Sequence, residues 1–270
     1  MPPITIGNVT LEQQERKPPL ASARPPQQSP LVDDFNNLFP ILQPFRDNFK
    51  LALARNGSKN IPVTEHLQRF ANFLSPSNTL NLLALKLQTN DFQHDFMLKA
   101  FQVYDQSVRK LALQQQDVSH MVCLAHLCGA EARYKGAQPK ILVLDLLSQM
   151  LEHQQRVNSK GHLLDGLGTE DDNLNSHFTS LQKCIRDSGV KYLLILLDEV
   201  DALFEECHRL QSDLPLGFEP AMDQWECLVD NLKTLPSQLE GTTVKIVVTS
   251  GKDHVKERFT TARHNNSTRT

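Results

Sequence analysis

Long apolar runs, disulfide spacing and a surplus of either charge are all missing from this 270-residue chain. No apolar run approaches the ~20 residues that cross a bilayer. The opening Met-Pro-Pro-Ile-Thr-Ile has neither the basic start nor the apolar core of a secretory signal. The five cysteines are odd in number and form no C-x-x-C pair. That pattern suits free thiols in a reducing compartment, so an intracellular protein, cytoplasmic or nuclear, is expected. With 28 basic and 31 acidic side chains the net charge is −3. No bulk attraction to nucleic acid or to an anionic membrane follows, which leaves other proteins as the expected partners. What the chain does have is apolar material: 40% of its residues, enough for the core of one large or two small domains.

Proline and glutamine crowd residues 1–30, where apolar periodicity is nearly absent. Such a stretch cannot bury enough surface to offset its ordering entropy, and a disordered tail is expected. Residues 31–78 read as a helical leader. Leu38, Leu42, Phe45, Phe49 and Leu53 recur at helical spacing, interrupted by Pro40 and Pro44. After the turn Asn56-Gly57-Ser58, Thr64 can cap a second helix built on Leu67, Phe70, Phe73 and Leu74.

From residue 79 to 259 strand-length apolar runs alternate with amphipathic helices, the pattern of βα units around a parallel sheet with helices on both faces. Strands are expected at 80–87, 118–128, 192–197 and 244–248. A helix from Met97 uses Phe101, Tyr104, Val108 and Leu111, and another, opened by Pro139, uses Ile141, Leu144, Leu147 and Leu151. A third uses Leu174, Phe178, Leu181 and Ile185 and stops at Gly189, and a fourth uses Met222, Trp225, Val229 and Leu232 and closes near Pro236. Residues 260–270 return to unpatterned polar sequence, a second flexible tail.

Residues 191–201 read Lys-Tyr-Leu-Leu-Ile-Leu-Leu-Asp-Glu-Val-Asp. A buried strand that ends in two adjacent carboxylates is what a Walker B element looks like. In that role Asp198 would hold Mg²⁺ and Glu199 would polarise the attacking water beside a γ-phosphate. The bland alternative is a strand that finishes in turn-forming or helix-capping acids. The strand at 244–248 runs into Thr249 and Ser250, small polar residues at the place where related ATPases sense the γ-phosphate.

On these elements the stretch 118–259 resembles the NACHT-type STAND NTPases, a branch of the AAA+/STAND P-loop superfamily. The string Leu197-Asp-Glu-Val-Asp-Ala-Leu203 is also similar to the Walker B of origin-recognition AAA+ ATPases. The resemblance implies a P-loop NTPase-like core with an ATP/Mg site. It implies a catalytic pair in Asp198 and Glu199, a Mg ligand in Asp198 and nucleotide contacts at Thr249 and Ser250. Since the chain stops soon after the sensor-like strand, it also implies a truncated unit without the helical lid.

The departures weigh against an active site. No G-x-x-x-x-G-K-[ST] string exists in the chain. The stretch Gly161 to Thr169 lacks the lysine and follows a helix. Gly251-Lys252 comes after Walker B, in the wrong order. By topology a phosphate loop belongs at 88–95, which reads Gln-Thr-Asn-Asp-Phe-Gln-His-Asp, with no glycine, no lysine and two acids. Without glycine the backbone does not readily form an amide cradle, and the acids repel phosphate. Gly251 also stands where STAND sensor strands carry an arginine. The expected function is therefore a degenerate NTPase-fold protein, a regulatory or interaction module with weak or no ATP hydrolysis. Two alternatives are an active ATPase with a non-standard phosphate loop and an AAA+-like DNA-associated factor.

Other constellations are poorer. His120 and Cys128 on one extended strand would stand roughly 26 Å apart, too far for one coordination sphere, and Cys123 would face the opposite side, so no zinc site is expected. Cys207 beside His208 does not make a nucleophile–base pair, because adjacent helical residues do not face each other. Lys252, Lys256 and Arg258 read as a solvated helix face.

Overall fold

The computed structural model describes residues 65–75, 77–87, 92–114, 117–118, 120–129, 138–157, 173–213 and 221–260. The expected N-terminal tail at 1–30, the first leader helix and the loop at 158–172 lie outside them, as does the expected tail at 260–270 except for Thr260, which ends the last helix.

Among the described residues eleven elements follow one another: α1 (Glu65–Leu74), β1 (Leu82–Lys86), α2 (Phe92–Leu113), β2 (Met121–Leu127), α3 (Pro139–Val157), α4 (Leu174–Asp187), β3 (Tyr192–Asp198), α5 (Val200–Asp213), α6 (Ala221–Gln238), β4 (Thr243–Ser250) and α7 (Asp253–Thr260). The strands form one four-stranded sheet in the order β1-β4-β3-β2, every pair parallel. The chain is thus an α/β protein with a parallel sheet flanked by helices, consistent with a P-loop-like core.

Each strand alternates its side chains between two apolar layers. Leu85, Val247, Leu194 and Leu196 meet α1 and α2 through Phe70, Phe73, Met97 and Tyr104. On the other face Ile246, Val248, Ile195, Leu197 and Leu124 meet α3 to α7, whose contribution includes Leu147, Phe178, Leu203, Trp225 and Phe259. β3 is covered on both sides, and Leu193 to Leu197 have no solvent exposure. That two-sided burial explains its unbroken apolar sequence.

The second leader helix, α1, belongs to this body, since Leu67, Phe70 and Phe73 are buried against the sheet. Lys245 of β4 fastens the chain between α1 and β1. Its ammonium donates to the Asn78 carbonyl at 2.7 Å and to the Leu80 carbonyl, and it lies 4.9 Å from the Phe73 ring centre. Burial pushes the Lys245 pKa down from the ordinary lysine value.

Several boundaries differ from the sequence expectation. α2 starts at Phe92, five residues before Met97, and α6 runs through Pro236 to Gln238. Pro236 sits in the last turn, where it lacks the N–H that would bond the carbonyl one turn back, and the helix is carried past it by Leu235 and Leu239, buried on either side. Pro139 opens α3 as expected. Asn173 caps α4 by accepting from the Ser176 N–H at 2.9 Å, and Gly189 follows that helix at φ +66, a conformation that favours glycine.

Candidate functional site

Open parallel sheets bind ligands beyond the carboxyl ends of their strands, at the switch point where successive connections leave to opposite faces. Here that point lies between β1 and β4. The helix after β1, α2, packs on one face, while the helix after β4, α7, packs on the other. Lys86 ends β1, Thr249 and Ser250 end β4, and Asp198 ends β3. Two adjacent strands, β3 and β4, therefore bring the sequence-predicted residues Asp198, Thr249 and Ser250 to one end of the sheet, with Lys86 of β1 beside them.

Their side chains are engaged with one another. The Thr249 hydroxyl donates to Asp198 Oδ1 at 2.5 Å, and Thr249 Oγ1 accepts from the Glu199 N–H at 3.0 Å. Asp198 and Thr249 both have no solvent exposure. One hydroxyl thus joins the strand that carries the paired acids to the neighbouring strand. Two residues further along, Asp201 Oδ1 accepts from the Gly251 N–H at 3.0 Å, and Glu205 pairs with Lys252. The turn between β3 and α5 is tied in this way to the turn between β4 and α7.

Ser250 points elsewhere. Its hydroxyl donates to the Lys252 carbonyl at 3.0 Å and accepts from the Lys252 N–H at 3.0 Å, closing the turn into α7. Of the two sensor-like residues, only Thr249 is bonded to the acid pair.

Glu199 adopts φ +50, the sole positive φ of a non-glycine residue among the described residues. A left-handed backbone at such a residue costs about 1–3 kcal/mol and is held by its surroundings. The Thr249 bond to its N–H is one restraint. Its carboxylate is a second, lying against Gly129 just beyond β2: a methyl group built on that glycine would overlap Glu199 Oε2. β2 and β1 are on opposite sides of β3. The side chain is therefore turned away from the switch point.

At the switch point itself the Leu87 N–H donates to the Ser250 carbonyl at 3.0 Å, and Lys86 pairs with Asp253 of α7. The Lys86 ammonium holds the Asp253 carboxyl below the usual range, with Lys256 helping. Nothing in the sequence pattern singled out Lys86. The signal was its place at the end of the first strand, which becomes informative once β1 is known to lie beside β4.

These donors do not fit a hydrated Mg²⁺. That ion keeps several waters around an octahedral shell, whereas Asp198 has no exposure and gives Oδ1 to Thr249. Among the described residues, no group of three or more His, Cys, Asp and Glu is placed to hold a metal ion. The α2 N-terminus, where a phosphate-binding lysine would stand, reads Phe92-Gln-His-Asp95. The segment 88–91 before it lies outside the described residues.

The remaining candidates separate. β2 sends Cys123 to the α2 side of the sheet and His126 to the α3 side, where His126 Nδ1 lies 2.8 Å from Asp145 Oδ2 in a buried pair. Gln149 of α3 holds the outer edge of β2 by accepting from the Ala125 N–H at 3.0 Å and donating to the Ala125 carbonyl at 2.8 Å. Cys207 is buried, and burial pushes its thiol up to about 12, which keeps it protonated and unreactive. Lys256 lies 3.7 Å from Asp253 and Arg258 3.2 Å from Glu226, so this basic face is paired with acids. No described helix is long and apolar enough to cross a membrane.

Compared with known proteins, the chain matches no family profile, no curated protein and no solved structure.

Proposed function

We propose that this protein is a degenerate, NACHT-like NTPase-fold module that acts through protein partners in a regulatory or interaction role, with weak or no ATP hydrolysis. The observation that carries this reading is the Asp198–Thr249–Glu199 clasp. The residues in the Walker B and sensor positions are spent on one another, and Glu199 is turned toward β2. Acids retained for such a clasp hold the strand ends in register without needing a ligand. The acidic, glycine-free stretch before and at the start of α2 supports the same conclusion.

The test is calorimetric titration of the full chain with Mg-ATP and with Mg-ADP, alongside a hydrolysis assay. No binding heat and no turnover above background are expected. Saturable binding lost in Asp198→Ala, or turnover lost in Glu199→Gln, would establish the active-ATPase alternative instead. That alternative draws on one observation, the cationic Lys86 beside the switch point. A nucleotide there would have to displace Asp253 first.

A further inference from the structure

We draw no further inference here: the strongest candidate, the side-chain cluster of the buried His126–Asp145 pair with Gln149 beside it, braces β2 against α3 from within the core, and nothing among the described residues points to a ligand for it or to a second arrangement that its protonation would select.

Discussion

Thr249 on β4 donates its hydroxyl to Asp198 on β3 across 2.5 Å, joining residues 51 positions apart in sequence. The same oxygen accepts the N–H of Glu199, so a single side chain serves a buried acid and a strained backbone together. An unpaired polar group at this depth is costly, which makes the clasp measurable.

Thr249→Val keeps the shape and removes both bonds. It leaves a buried carboxylate and a backbone N–H without their partner and should cost about 2–4 kcal/mol in urea unfolding. Thr249→Ser keeps the hydroxyl and should recover most of that loss. Equal stability of the two variants would mean that the hydroxyl contributes nothing.

Gly129 is needed because Glu199 occupies the space that a side chain would fill. Gly129→Ala should destabilise by about 1–3 kcal/mol through overcrowding. Adding Glu199→Ala should relieve the clash, so the double variant loses less than the sum of the singles. Simple additivity would place the Glu199 carboxylate elsewhere.

Lys245 holds two carbonyls ahead of β1 from an otherwise apolar setting. Lys245→Ala removes both bonds, the ammonium over the Phe73 ring and the buried stem, and about 2–4 kcal/mol should be lost. Lys245→Met keeps the stem and should lose less. Hydrogen exchange of the Ile246 amide, which donates to the Asn81 carbonyl at 2.8 Å, should quicken more in the alanine variant.

Alkali should unfold the protein through its buried thiols. Burial raises Cys184 and Cys207 from 9.0 to about 12. Above pH 9 the unfolded chain sheds these protons while the folded chain keeps them, so stability is full below pH 9 and falls as pH rises toward 12. Two such groups correspond to a loss on the order of 3 kcal/mol per pH unit in that window. Replacing both by alanine should flatten the slope measured by urea titration between pH 9 and 11. An unaltered slope would assign the alkaline loss to other groups.

The strands were legible because burial on both faces demands continuous apolar runs. Tyr192 to Leu197 shows this most clearly, with adjacent acids marking where the strand leaves the core. Helix faces such as Leu144, Leu147 and Leu151 were legible from their spacing. The start of α2 was not, because Phe92 to Asp95 carries too few apolar residues to show a period. The run of α6 through Pro236 was equally hidden, since local preference stops a helix there and only the burial of Leu235 and Leu239 carries it on.

The sequence by itself determined the class of protein: alternating βα units, paired acids ending one strand and small hydroxyls ending another, with no glycine at 88–95. These are matters of composition and period, which neighbouring residues express on their own. Only the tertiary structure decided the strand order and so what those residues touch. Setting β4 between β1 and β3 brings Thr249 to Asp198 and Lys86 to Asp253, and placing β2 beyond β3 puts Gly129 under Glu199. Contacts between residues so distant along the chain follow from the packing of the whole sheet, and no local pattern encodes them.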